Sequence, residues 1–188
     1  SAIAVFIAWD QGRVMRAQQH GAVYPVIQID GFVSTSVDTA SMGIRVSNSG
    51  VGPALIEQVR MLRNGEPVAS LNLYVDRFPS GYDLSWTSLI GRAIAPGSNV
   101  EPLRVDWSRD DISGDQLDAV AAEWSQLDAE ICYCSVFDRC WITRGLGMGR
   151  TMGRAERVKR CERSEVDLFE AVANAPRASG TETISEVE

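Results

Sequence analysis

The segment with the clearest structural signal is Leu55-Ile-Glu-Gln-Val-Arg-Met-Leu-Arg-Asn-Gly-Glu-Pro-Val68. Residues 55–62 have the composition of a β-strand. Asn64-Gly65 follows them and favours the positive φ angles that a type I′ turn requires. Pro67-Val68 then begins a return strand. The stretch therefore predicts a β-hairpin, which is the most clearly defined local structure in the chain.

Further short strands are predicted on both sides of this hairpin. Residues 42–47 alternate apolar and polar side chains, which is typical of a half-buried strand, and the other candidates are rich in β-branched and aromatic residues. The predicted strands are 23–29, 42–47, 100–107, 131–137 and 140–143. Turns are expected at Asp30-Gly31 and at 48–53, and a polar loop at 34–41. Several short strands at this spacing predict a β-sandwich.

Helices are expected at only a few places. Residues 14–19 are polar and helix-compatible, and they predict a helical stalk. Residues 116–127 place apolar side chains on one helical face, with Asp115 as the expected N-cap. The composition leaves both strand and helix open for 71–75, 84–89 and 158–172. The predicted fold class is thus mainly β, with an N-terminal helical stalk and one or two short helices.

The chain begins with an apolar run, residues 2–9, which is too short to span a bilayer. We interpret it as the end of a transmembrane helix, with Trp9 at the membrane interface; a buried first strand or core helix is the alternative. The predicted organisation is a transmembrane helix end and stalk at 1–20, a β-sandwich domain at 21–173, and a disordered acidic tail at 174–188.

Three segments, 23–29, 48–54 and 131–141, together resemble a group of uncharacterised bacterial membrane-anchored proteins. The resemblance covers roughly residues 1–145 and is most specific at Cys132-Tyr-Cys-Ser135. It implies one N-terminal transmembrane helix followed by an extracytoplasmic immunoglobulin-like β-sandwich. It also implies a bacterial inner-membrane location, with the domain in the periplasm or outside the cell. It brings no catalytic residues.

The four cysteines are Cys132, Cys134, Cys140 and Cys161. In an exported domain they predict two disulfides. Cys132 and Cys134 share one face of a strand, so they are not expected to bond to each other. The pairings Cys134–Cys140 with Cys132–Cys161, and Cys132–Cys140 with Cys134–Cys161, both remain open. The alternative is a thiolate site for zinc or copper formed by the same four residues.

Charge is unevenly distributed along the chain. The net charge is −7, so nucleic-acid binding is not expected. Residues 139–163 nevertheless hold eight basic side chains against two acidic ones. This block either pairs with the acidic tail or touches anionic lipid headgroups or an acidic partner. The candidate basic contact surface consists of Arg150, Arg154, Arg157, Lys159 and Arg160.

No pattern in the sequence points to catalysis. His20 is the single histidine, Asp110-Asp111 lies in a polar stretch, and the glycine-rich residues 145–149 lack a nucleotide-binding pattern. We therefore expect a non-enzymatic interaction or accessory domain without a cofactor. Its expected partners are the membrane, through the N-terminal helix, and another protein. A thiolate metal-binding module is the alternative function.

Overall fold

The structure is a computed structural model that describes residues 2–145, 155–164 and 166–173, with the side chains of 2–5, 17, 19 and 20 left out. Its helices are α1 (Ala2–Gly21), α2 (Asn72–Val75), α3 (Gly114–Trp124) and α4 (Leu168–Ala173). Its strands are β1 (Ile27–Thr35), β2 (Thr39–Asn48), β3 (Ala54–Arg63), β4 (Glu66–Pro67), β5 (Tyr82–Trp86), β6 (Ala93–Ile94), β7 (Asn99–Ser108), β8 (Leu127–Cys134), β9 (Cys140–Arg144) and β10 (Glu156–Val158). The predicted mainly-β class is confirmed.

The strands form two antiparallel sheets. The first sheet has the order β1-β2-β7-β5, and the second has the order β10-β9-β8-β3-β4, with β6 also paired to β3. Alternate residues of each strand point inward, because successive side chains on a strand face opposite sides. Ile44 and Val105 of the first sheet and Val59 and Ile131 of the second belong to one buried apolar cluster. The two sheets therefore share a core.

The predicted β3–β4 hairpin is confirmed. Asn64 and Gly65 have φ angles of 53° and 85°, the positive values that a type I′ turn requires. The return strand β4 holds only two residues, paired as Arg63 with Glu66 and Leu62 with Pro67. Proline lacks a backbone N–H, which restricts such a strand to the edge of a sheet.

The turn expected at Asp30-Gly31 is wrong, and the loop expected at 34–41 is correct only at 36–38. β1 continues past Asp30-Gly31 to Thr35, and β2 starts at Thr39. Ser34 and Ser41, two of the polar residues that indicated a loop, pair with each other on the outer face of this hairpin. Ser41, for example, is buried and donates a hydrogen bond to Asp106 on β7. A strand with a polar outer face has a loop-like composition although its backbone is fully paired.

Helix α3 confirms the predicted amphipathic helix but corrects both of its ends. The N-cap is Ser113 and not Asp115: the Ser113 hydroxyl accepts a hydrogen bond from the Gln116 amide, and the Gln116 side chain accepts one from the Ser113 amide. This reciprocal arrangement is a capping box. The helix stops at Trp124, because Leu127 already begins β8.

At the N-terminus, α1 confirms the helix predicted at 14–19. The described side chains of its apolar part, including Phe6 and Trp9, are exposed, so the alternative of a buried strand or core helix is wrong. Among the described residues, no helix has both the length and the hydropathy that crossing a membrane requires.

The stretch 158–172, which the sequence left open, contains the end of strand β10 and most of the short helix α4. Phe169 and Val172 of α4 enter the core. The buried Asp167 carboxylate accepts hydrogen bonds from the Ser88 hydroxyl and from the amides of Leu89, Ile90 and Phe169. These bonds fix the end of the domain. Most of the glycine-rich stretch, from residue 146, and the predicted tail at 174–188 lie outside the described residues.

Candidate functional site

The outer face of the second sheet carries the cysteines. On β8 the core-facing residues alternate with Glu130, Cys132 and Cys134, and all three of these are buried although they point away from the core. The segment 155–164 covers the two cysteines: it pairs with β9 through β10 and then brings Cys161 against Cys132 and Cys134. The Ser164 amide donates a hydrogen bond to the Glu57 carbonyl on β3. We call this segment the strap.

Two disulfides connect the four cysteines. Cys132 bonds to Cys161 of the strap, with their sulfur atoms 2.01 Å apart, and Cys134 bonds to Cys140, with a separation of 2.03 Å. The register of β8 and β9 explains the second bond. Cys134 lies directly opposite Cys140 across the five-residue turn 135–139, and their Cα atoms are 4.0 Å apart. Of the two pairings that the sequence left open, the structure has this one.

The two disulfides are neighbours, so the cysteines form a compact cluster. The Sγ atoms of Cys134 and Cys161 are 3.7 Å apart. The Sγ atoms of Cys134, Cys140 and Cys161 all lie within 4.8 Å of one another. Soft metals such as zinc and Cu(I) bind thiolates at such clusters once the sulfurs are reduced. The geometry is therefore compatible with a disulfide-stabilised surface and with a thiolate site in the reduced protein.

A buried ion cluster that the sequence analysis missed lies beside the cysteines. The Glu130 side chain is only 5% exposed and lies between Arg60 of β3 and Arg144 of β9, each 2.5 Å away. Cross-strand register places the three residues in one row. Within the described ranges, the buried Nε of Arg60 has no hydrogen-bond partner. The available signal was the position of Glu130 directly before the apolar run 131–134, because a buried carboxylate requires a cationic partner.

The candidate basic surface is divided between two clefts. Arg157 and Lys159 line a cleft of about 450 Å³ together with Asp138, Arg139 and Val158. Arg160 lines a neighbouring cleft of about 360 Å³ beside Cys132 and Cys161. Arg150 and Arg154 lie outside the described residues. The sequence analysis did not include Arg139 in this surface, because it enters from the β8–β9 turn and not from the strap.

The acidic residues singled out by the sequence do not form a site. Asp110 and Asp111 are exposed in the loop after β7.

Asp106 of β7 has a lowered pKa. Burial raises the pKa of its carboxyl group, but the hydrogen bonds that the carboxylate accepts from Arg104 and Ser41 outweigh that effect. The pKa therefore lies below the ordinary value of 3.8. The same pairing with Asp106 raises the pKa of Arg104 despite partial burial.

Tyr133 is the remaining group with a clearly shifted pKa among the described residues. Burial in the core raises its pKa to about 12. Its ring stacks on Trp141 with centroids 5.9 Å apart, and the Ile27 amide donates a hydrogen bond to its hydroxyl. It therefore serves the core and does not line either cleft.

Comparison with protein families, with curated proteins and with solved structures finds no match to this chain. Functional conclusions therefore rest on the arrangement of its own residues.

Proposed function

We propose that this chain is a non-enzymatic, extracytoplasmic interaction or accessory module, an immunoglobulin-like β-sandwich held at a bacterial inner membrane through its N-terminal helix. The observation that carries the proposal is the pair of disulfides, which bond all four cysteines of the chain. Structural disulfides persist in oxidising compartments such as the periplasm and the cell exterior, and are rare in the cytosol.

The order of the strands supports the immunoglobulin-like assignment. Immunoglobulin domains have strands A-B-E-D in one sheet and G-F-C, with C′ added in the variable type, in the other. The present orders β1-β2-β7-β5 and β9-β8-β3-β4 follow the same scheme in chain order. The chain departs from antibody domains, in which a disulfide in the core joins strands B and F. Here the equivalent strands β2 and β8 contribute Ile44 and Ile131 to the core. Both disulfides lie instead on the outer face of the second sheet.

The N-terminal helix supports attachment to a membrane. Phe6, Ile7 and Trp9 are exposed, and the Arg13 guanidinium lies 5.6 Å from the centre of the Trp9 ring. Tryptophan and arginine in this arrangement are typical of the boundary between lipid and water. The helix leads directly into β1 through residues 22–26.

The shifted pKa values in this domain have structural causes. The shifted pKa values of Arg104 and Asp106 arise from their mutual ion pair on the outer face of the first sheet, and that of Tyr133 arises from burial. Arg45 and Glu101 form a second ion pair, 2.7 Å long, on the same face. These shifts therefore come from structural ion pairing and from burial, and they do not indicate acid–base chemistry.

The test is the thiol content of the native protein. The chain is produced with an export signal, alkylated under denaturing and non-reducing conditions, and its intact mass is measured. We expect no alkylated cysteine and a mass lower by four hydrogens. The same sample reduced before alkylation is the control and should carry four labels. Four labels in the unreduced, exported protein would refute the proposal.

The second candidate function is a thiolate metal-binding module, favoured by the three sulfur atoms within 4.8 Å of one another. Its test is native mass spectrometry of the protein purified without oxygen and then titrated with Zn²⁺ or Cu(I). One tightly bound metal per chain, lost in Cys134→Ala and Cys161→Ala variants, would favour this function over the first.

A further inference from the structure

Three loops meet at the end of the domain where α1 joins β1. The Val51 amide of the turn 48–53 donates a hydrogen bond to the Tyr24 carbonyl, and a Cβ on Gly52 would lie 2.2 Å from the Val23 carbonyl oxygen. The Tyr24 ring meets Trp141 of β9 edge-on, with centroids 5.0 Å apart. The turn 135–139 lies at the same end, because Leu55 near the start of β3 pairs with Cys134. We call this the junction end.

The loops at the junction end expose apolar side chains. The exposed fractions are 64% for Val51, 49% for Val136, 47% for Phe137 and 40% for Tyr24. One exposed apolar residue is ordinary on a protein surface. Here four of them come from three separate loops and share one end of the molecule, which is typical of a surface that contacts an apolar phase.

Basic side chains lie immediately beside these apolar ones. Because Val158 pairs with Cys140, the strap places Arg157 and Lys159 next to the turn that carries Arg139. The cleft between them contains one acidic residue, Asp138, so its net charge is +2. Within the described parts of the chain, none of the three cations forms an ion pair with a carboxylate.

The opposite end of the domain is acidic. The pairing of Thr39 with Ser108 places the turn 36–38 and the loop after β7 together there. Asp38, Asp110 and Asp111 are exposed at that end, and Arg109, whose amide donates a hydrogen bond to the Asp38 carbonyl, lies among them, so these carboxylates outnumber the cation. Within the described residues, the junction end thus carries a cationic cleft although the chain has a net charge of −7, and the end farthest from it carries three exposed carboxylates. Such a polarity orients a domain against a negative surface.

We infer that the junction end is a docking surface for a membrane of anionic phospholipid. Arg139, Arg157 and Lys159 bind headgroup phosphates in their cleft, and Phe137 and Val136 enter the headgroup boundary. Basic residues near an anionic bilayer each strengthen binding by roughly fivefold, and partly inserted aromatic residues add to this. The inference rests on the proposed membrane attachment, and it adds a second contact that holds the domain upright on the bilayer.

The test uses the full chain and vesicles of phosphatidylcholine alone or with about one third phosphatidylglycerol. Binding is measured by co-flotation, and hydrogen–deuterium exchange is followed in 135–139 and 155–160. We expect tighter binding to the anionic vesicles and slower exchange in both segments. In the variant R139Q/R157Q/K159Q, the ratio of affinity for anionic vesicles to affinity for neutral vesicles should fall roughly 100-fold, because each of the three charges contributes about fivefold. Phe137→Ser should also weaken binding.

The matched control is R63Q/R77Q/R109Q, which removes the same charge from residues away from the junction end and should keep the preference within about twofold. Equal preference in wild type and R139Q/R157Q/K159Q, or unchanged exchange at 135–139, would overturn the inference. Binding of the wild type to both vesicle types without a preference would leave the anchor intact and overturn only the docking surface. Binding to neither would contradict the anchor as well. A thermal midpoint close to that of the wild type shows that each variant is folded. If R139Q/R157Q/K159Q is not folded, Lys159→Gln is tested alone, and its affinity for anionic vesicles should fall about fivefold.

Discussion

Removing the two disulfides one at a time should destabilise the protein by different amounts. Cys132–Cys161 closes a loop with a sequence separation of 29, and Cys134–Cys140 closes one with a separation of 6. With the loop-entropy relation for cross-linked chains, these separations give about 3.5 kcal/mol for the first bond and about 2 kcal/mol for the second. The longer bond contributes more because it restricts a larger part of the unfolded chain.

The perturbations are the double variants C132A/C161A and C134A/C140A. Each replaces two largely buried cysteines by alanine, so the loss of packing is similar in both and the difference between them reports on the loops. The free energy of unfolding is measured by urea denaturation without reductant, followed by tryptophan fluorescence. We expect C132A/C161A to be less stable than C134A/C140A by about 1.5 kcal/mol. Its m-value should rise as well, because its unfolded chain is more open.

Alkylation and intact mass provide the control for pairing. Each double variant should keep one disulfide and take up no label before reduction. If the two cysteines left in C132A/C161A are alkylated in the native protein, the pairing is wrong. If C134A/C140A proves the less stable variant, the loop-entropy reasoning is refuted.

Three further perturbations probe buried polar groups. Asn48→Ala removes two buried hydrogen bonds, to the carbonyls of Gly52 and Ile94, and two partly buried ones, from the amides of Val26 and Gly50. It should cost on the order of 4 kcal/mol of unfolding free energy in urea titrations, and a loss below about 1 kcal/mol would contradict this reasoning. Glu130→Ala should cost about 2 kcal/mol of unfolding free energy in the same titration, because Arg60 and Arg144 lose their partner but still reach water. An unchanged midpoint would show that the ion cluster is dispensable. The lowered pKa of Asp106 means that its contribution is present above the ordinary carboxyl pKa and is lost as pH falls through the folded value. The stability gap between wild type and Asp106→Asn should therefore close between neutral pH and about pH 2, and a gap independent of pH would be inconsistent with the shift.

Local features of the fold were predictable because they depend on neighbouring residues. Asn64-Gly65 determines its own turn through backbone conformation, and alternation along 42–47 predicts β2 without knowledge of its partners. The spacing of the cysteines similarly limited the pairings to two, and the structure decided between them. Errors arose where local chemistry is ambiguous, as at 34–41, where polar outer-face side chains gave a strand the composition of a loop.

The candidate site was less predictable because its residues meet only in the folded chain. Arg60, Glu130 and Arg144 form a row through the register of three strands. Arg139 joins Arg157 and Lys159 because β10 pairs with β9. No spacing in the sequence encodes these meetings, since the register is set by the packing of whole sheets.

The mainly-β class, the hairpin, the N-terminal helix and the cysteines available for bonding were all accessible from the sequence. These properties follow from backbone preferences and side-chain periodicity over a few residues. Which faces are covered, and which charges share a cleft, depends on how the two sheets pack. Asp167 shows why: its carboxylate accepts a hydrogen bond from the amide of Leu89, 78 positions away, and such contacts form only when the shared core has brought distant strands together.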